Sequence, residues 1–256
     1  MRVALNFITK SIKEDLLYRF DFVGSLAILI IFFLTRLFFL DALYGYGEDL
    51  SGWSQPEITF LLFTLIWILV LSDTFDNSVL HYFQKLYHGE ADTFFLKPTS
   101  LLNYIFLAWV KVSNLYVFPI VMGVGLFLYG DPLWAQPPLT VIAYFGVGIV
   151  SALLNLIFVA NLSCLTLIFK RIIPADFLFS EISKIMILPF SVFPRKIGTS
   201  LLILLPSIFT AAVPAAFALK QSSSLIFYFC AGFGLNLMFF LCFLRFSVRR
   251  YEGIGG

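Results

Sequence analysis

The sequence predicts an all-α polytopic membrane protein with six transmembrane helices, an N-terminal in-plane amphipathic helix, and a re-entrant outer hairpin between helices five and six. Three observations predict it. Hydrophobic residues make up 60% of the 256 residues and charged ones 12%, at a mean hydropathy of +0.95. The apolar runs reach the roughly 20 helical residues needed to cross a hydrocarbon core of about 30 Å. No polar stretch is long enough to fold as a separate aqueous domain, so residues 1–256 read as one membrane domain.

Residues 1–20 set Leu5, Ile8, Ile12 and Leu16 at helical spacing against Lys10, Lys13 and Glu14, the pattern of a helix lying in the interface, although Asp15 and Arg19 spoil its apolar face. The first span covers about 22–40. The loop after it, DALYGYGEDLSGWSQPE, carries acids but no Lys or Arg and so faces outward. The second span starts near Pro56, but its apolar part, 58–72, is only about 22 Å long. Either Asp73 and Asp76 dip into the core facing protein, or the bilayer thins there. Residues 73–100, with Lys85, Lys97, His81, His88, Glu90 and Asp92, read as a cytoplasmic loop with helical content.

A third span covers about 101–129 and turns back through GDPLWAQPP, again without Lys or Arg; a fourth, 139–169, ends at Lys170 and Arg171 on the cytoplasmic side. In the last third, 177–193, 197–219 and 224–244 each qualify as a span, and three crossings would put Arg245, Arg249 and Arg250 outside. Parity returns if 195–219 enters and leaves by the outer face, broken by Pro194, Gly198, Pro206 and Pro214 into pieces that must be buried in protein. A rival layout makes 174–194 the in-plane piece and puts Arg195 and Lys196 inside. Both layouts keep both termini cytoplasmic.

The chemistry of a hydrolase is missing from this pattern. There is no GxxxxGK phosphate loop, no HExxH, no GxSxG and no metal-spaced acidic cluster. His81 and His88 read as interfacial residues on one helix face, or as the only histidines a lipid-modifying enzyme could use. Cys164, Cys230 and Cys242 lie in apolar runs and read as small buried hydrophobes. A net charge of +2 gives no reason to expect nucleic acid as a partner. The Asn161 sequon falls within a span, and Gly123, Gly125, Gly146, Gly148, Gly232 and Gly234 read as close-approach sites. Charge inside a span marks a pathway more often than a lipid contact, which directs attention to Arg36, Lys111, Glu181 and Lys184, with Asn114 and Asn155. Glu181 and Lys184 are spaced to pair on one helix face, and Arg36 and Lys184 could instead snorkel.

Three segments carry a family resemblance. HGEADTFFLKPTS (88–100) is similar to the G-x-x-D-x-x-L-x-(K/R)-P signature of permease subunits of type-two ABC exporters, in the six-helix branch with paired, non-identical permeases. LPFSVFPRKIGTSLLILLPSIFTAAVPAAFAL (188–219) resembles that branch's proline-punctuated stretch after helix five, and FSVRRYEGIGG (246–256) its R-Y-x-x-x-G tail. The tandem Arg195 and Lys196 depart from the pattern. The resemblance implies an export permease in the inner membrane of a bacterium, working as a dimer with itself or a paralogue. ATP and Mg would be bound by cytoplasmic ABC ATPase subunits, docked at the 73–100 loop through Gly89, Glu90, Asp92, Leu96, Lys97 and Pro98 and at the N-terminal helix. Arg36, Lys111, Asn114, Glu181 and Lys184 become candidates for the translocation path, and Pro189, Pro194, Arg195 and Pro206 for an outer gate. Aromatic-rich spans suit an amphiphilic or lipid-like cargo. The competing classes are a lipid-modifying membrane enzyme and a structural anchor.

Overall fold

Helices carry most of the described residues of the computed structural model, which describes residues 19–45, 52–90, 101–169, 171, 173–220 and 223–249. In order they are α1 (Arg19–Gly45), α2 (Gln55–Tyr87), α3 (Leu101–Leu107), α4 (Ser113–Tyr129), α5 (Asp131–Trp134), α6 (Pro138–Ile168), α7 (Ala175–Ser183), α8 (Arg195–Leu204), α9 (Ala212–Lys220) and α10 (Ser223–Arg249). Short 3-10 turns occupy Phe190–Val192 and Pro206–Phe209. No strand occurs among the described residues. Among the described residues three helices, Gln55–Tyr87, Pro138–Ile168 and Ser224–Phe246, are long and apolar enough to cross a membrane by length and composition. The expected in-plane helix at 1–20 lies outside the described residues apart from its last two positions.

α2 is the centre of the bundle. Its start is fixed by Ser54, Pro56 and Glu57: Pro56 lacks the N–H that would go unpaired in a first turn, and the Glu57 carboxylate accepts the Ser54 N–H at 2.8 Å. Phe60, Leu61, Leu62, Phe63, Leu65, Ile66, Trp67 and Ile68 are all buried, so the helix is apolar on every side because protein surrounds it on every side. Its most extensive partner is α6. Between them, Tyr144 accepts a hydrogen bond from Trp67 Nε1 at 2.9 Å and shares another with Thr64 Oγ1 at 2.8 Å.

The expected loop at 73–100 is corrected over its first half: α2 continues unbroken to Tyr87. Val79, Tyr82, Phe83 and Leu86 form a second apolar core with Tyr104 and Ile105 of α3, Ala160 and Cys164 of α6, and Phe240 and Leu244 of α10. The polar run from Asp73 to Ser78 does not end the helix. Asp76 and Ser78 in it are buried against protein, whereas Asp73 stays exposed.

Two expected spans are interrupted. Residues 101–129 form α3 and α4 with a break between them, and 177–193 yields only the nine-residue α7. Ser180 and Ser183 turn their hydroxyls back onto the Phe177 and Ser180 carbonyls, at 2.8 and 2.7 Å, and Pro189 supplies no N–H to extend the helix. The segment 195–219 is broken as expected into α8, a 3-10 turn and α9. Its inner pieces are deeply buried, with Pro206 to Ala216 all below one-tenth exposed wherever apolar.

Of the paired glycines only one in each pair makes a close approach. A Cβ at Gly125 would lie 2.0 Å from the Phe63 ring, at Gly148 2.0 Å from the Trp67 ring and at Gly232 2.5 Å from the Leu202 carbonyl oxygen, whereas Gly123, Gly146 and Gly234 have open space. Gly232 is where α10 meets α8. A carbonyl held in a helix cannot swing aside, so Gly232→Ala should destabilise the purified protein by about 1–3 kcal/mol while Gly234→Ala leaves its unfolding temperature unchanged. Equal unfolding temperatures for the two variants would contradict this packing. The cysteines also divide: Cys164 is buried, whereas Cys230 and Cys242 are exposed on the outward side of α10, against the expectation that all three are interior. Asn161 is buried as its place in a span requires, and its amide donates to the Asn236 carbonyl of α10 at 3.1 Å.

Candidate functional site

The break between α3 and α4 explains the polar run on α2. Residues outside a helix inside a bundle must find other partners for their backbone groups. Here Lys111 N–H donates to the Thr74 carbonyl at 2.9 Å, Trp109 N–H to Ser78 Oγ at 3.2 Å, and Asn77 Nδ2 to the Trp109 carbonyl at 3.4 Å. Docking of the break also brings Lys111 Nζ to 3.0 Å and Asn114 Nδ2 to 2.8 Å from the same Asp73 oxygen. The two path candidates Lys111 and Asn114 therefore meet on one carboxylate.

Beside this triad lies a cavity of about 480 Å³ walled by α1, α2, α4, α6 and α7. Its walls are mostly apolar, with Ile28, Leu29 and Phe32 on one side and Val117, Val159 and Phe179 on others. Its polar groups are Asp73, Asp76, Lys111, Asn114, Asp176, Ser180 and Ser183. Asp76 is only 6% exposed and its Oδ1 has no hydrogen-bond partner. Of Asp73 and Asp76, for which the sequence leaves open burial against protein or a thinned bilayer, Asp76 is buried and Asp73 exposed. Asp176, Ser180 and Ser183 were missed, and their signal was the i, i+4, i+7 spacing that puts them on one face of α7.

The other path candidates border this cavity without lining it. Arg36 Nη1 donates to the Lys184 carbonyl at 3.2 Å, satisfying a carbonyl at the C-terminal end of α7, and its guanidinium lies 4.8 Å from the Phe32 ring centroid. Lys184 Nζ pairs with Glu181 on the same helix face, as their spacing suggested. Arg36 thus ties α1 to α7 across the cavity wall. Asn155 is fully buried in α6 with neither side-chain polar atom hydrogen bonded.

The outer-gate candidates do not form one cluster. Pro189 is buried ahead of a 3-10 turn, Pro194 and Arg195 are exposed at the start of α8, and Pro206 is buried at the start of the second 3-10 turn, beside Gly232. None lines the cavity. Of the coupling candidates, Asp92, Leu96, Lys97 and Pro98 lie outside the described residues. Gly89 and Glu90 are described and close α2: Gly89, at φ +74°, donates its N–H to Leu86 O at 3.1 Å and Glu90 donates its N–H to Lys85 O at 2.9 Å, the two bonds of a Schellman stop. Only glycine takes that φ without strain, so the first position of the resembling motif has a structural reason. His81 packs against Trp109, with ring centroids 6.2 Å apart, and does not line the cavity.

The family model described as "ABC-2 family transporter protein" matches residues 29–255. The chain belongs to the ABC-2 transporter family. It is a multi-pass membrane protein and a transport permease subunit, as the resemblance of the coupling motif, the proline-broken stretch and the tail implied. No curated protein and no solved structure matches it.

Proposed function

We propose that this ABC-2 family chain is the membrane subunit of an ATP-driven exporter that moves an amphiphilic or lipid-like substrate out of the cytoplasm. A second permease, a paralogue or another copy, completes the pathway, and separate cytoplasmic ATPase subunits bind ATP and Mg. The chain sits in the inner membrane of a bacterium with both termini cytoplasmic, six crossings and an outer re-entrant segment at 195–219.

The observation that carries this reading is the continuity of α2. It runs from Gln55 to Tyr87 without a break, passes the cavity at Asp73 and Asp76, and stops at Gly89 where the coupling motif begins. At 1.5 Å per residue such a rod is about 50 Å long. An ATPase pressing on residues 89–98 displaces the cavity wall directly, which is what switching between inward-open and outward-open arrangements of a packed bundle requires. The cavity has apolar walls and a polar floor, and suits an amphiphile.

The test is reconstitution with a candidate cytoplasmic ABC ATPase. The isolated chain should hydrolyse no ATP, because no phosphate-cradling loop exists in its sequence. The complex in proteoliposomes should export an amphiphile only with ATP, and Arg36→Leu or Lys111→Leu should abolish export at matched expression. Hydrolysis by the isolated chain would refute the permease reading. Full export with both residues replaced would instead favour a structural role for them.

A further inference from the structure

The 480 Å³ cavity has a neighbour. A second cavity of about 360 Å³ lies between α1, α2 and α4, lined by apolar side chains such as Phe33, Phe63, Ile120 and Val124, and Leu29 and Ile66 line both. The two lie side by side, one acidic and one apolar, each in the size range of single-ligand sites, roughly 300–1,000 Å³.

The charges in the acidic cavity do not cancel. Lys111 and Asn114 hold Asp73, but among the described residues no cation pairs Asp76 or Asp176. Asp76 lines the cavity although it is buried, and its Oδ1 has no hydrogen-bond partner, an arrangement that leaves a carboxyl group without the partner that buried polar groups take. A metal ion does not fit this gap, because no group of three His, Cys, Asp or Glu side chains among the described residues comes close enough to hold one. A quaternary nitrogen does, since it has no N–H to satisfy and needs only the charge of one carboxylate and an apolar surround rather than a coordination shell.

We propose that the paired cavities bind an amphiphile with a quaternary nitrogen head and a single alkyl chain, the head against Asp76 and the chain between α1 and α4. The proposal rests on the export reading only in calling this ligand cargo, and binding is measurable on the chain alone.

The chain purified in dodecyl maltoside is titrated with radiolabelled dodecyltrimethylammonium. Saturable binding is expected against the excess of neutral-headed detergent, with no competition from dodecyl sulfate at equal concentration. Asp76→Asn should weaken binding by at least about 10-fold, because the head loses its counter-charge. Val124→Phe, which fills the apolar cavity far from Asp76, should weaken it by about 10-fold and keeps the test open should Asp76→Asn fail to fold. Equal competition by dodecyl sulfate, or unchanged affinity in a folded Asp76→Asn or Val124→Phe chain, overturns the proposal. ATP-driven export of an anionic or neutral amphiphile by the reconstituted complex, with no binding of the cation, would overturn it and leave the export reading standing. Binding without ATP-driven export would do the reverse.

Discussion

Gly148→Leu is expected to leave little or no monodisperse protein after detergent extraction, whereas Gly146→Leu, two residues away on α6, should be recovered at the wild-type level. The difference comes from what each Cβ meets. At Gly146 there is nothing within 4 Å, and at Gly148 a Cβ would lie 2.0 Å from one indole carbon of Trp67 and 2.3 Å from another. Trp67 is 1% exposed and cannot retreat, because its ring packs against Phe118, Tyr144 and Phe145 and its Nε1 donates to Tyr144. Displacing the ring overpacks the core at a cost of about 1–3 kcal/mol and strands a buried donor at about 1–3 kcal/mol more. That loss is a large part of the roughly 5–15 kcal/mol by which a typical fold is stable. Size-exclusion profiles and unfolding temperatures at matched expression decide the matter. A monodisperse Gly148→Leu chain with unchanged stability would mean that α2 and α6 do not meet at this glycine.

Much of this bundle is legible in the sequence where hydrophobicity alone decides. The expected spans 22–40 and 224–244 fall within α1 and α10, and 139–169 overruns α6 by one residue. Misreadings arise where polar side chains serve backbone rather than water. The run Asp73, Asp76, Asn77 and Ser78 looks like a departure from the membrane, yet Asn77 and Ser78 complete the hydrogen bonding of a helix break about 30 residues later. Nothing local to α2 reveals that partner. Lys111 likewise seems a costly charge in a span until Asp73 is placed beside it. Within the candidate site, Glu181 and Lys184 were legible as a pair because their spacing is short. The meeting of Lys111 and Asn114 on Asp73, and of Arg36 with the Lys184 carbonyl, depends on tertiary packing that one sequence does not encode in any periodicity. Within the expected crossing at 177–193 the α-helix is confined to α7, a limit that mean hydropathy does not reveal because it is insensitive to where hydroxyls and Pro189 end a helix.

Reversal of charge at the end of α2 is expected to separate folding from assembly. Glu90→Lys combined with Asp92→Lys should leave the chain inserted and folded but abolish copurification of the proposed ATPase. Folding survives because the stop of α2 is built from backbone: Gly89 and Glu90 cap the last turn through their N–H groups, which substitution of the Glu90 side chain leaves in place. The Glu90 carboxylate also lies 3.5 Å from Lys85 Nζ, but both groups are solvent-exposed and such a pair contributes only about 0–1 kcal/mol. Reversal at a desolvated docking surface is different in kind, replacing attraction by repulsion at about 2–5 kcal/mol for one pair. The corresponding loss of affinity is about 30-fold or more. The same rod that carries this end past Asp73 and Asp76 would then move without its driver, so ATP-dependent export should fall with the complex, while detergent stability stays at the wild-type value. Normal recovery of the complex and normal export in the double variant would show that the acids are merely solvated and that coupling enters the bundle elsewhere.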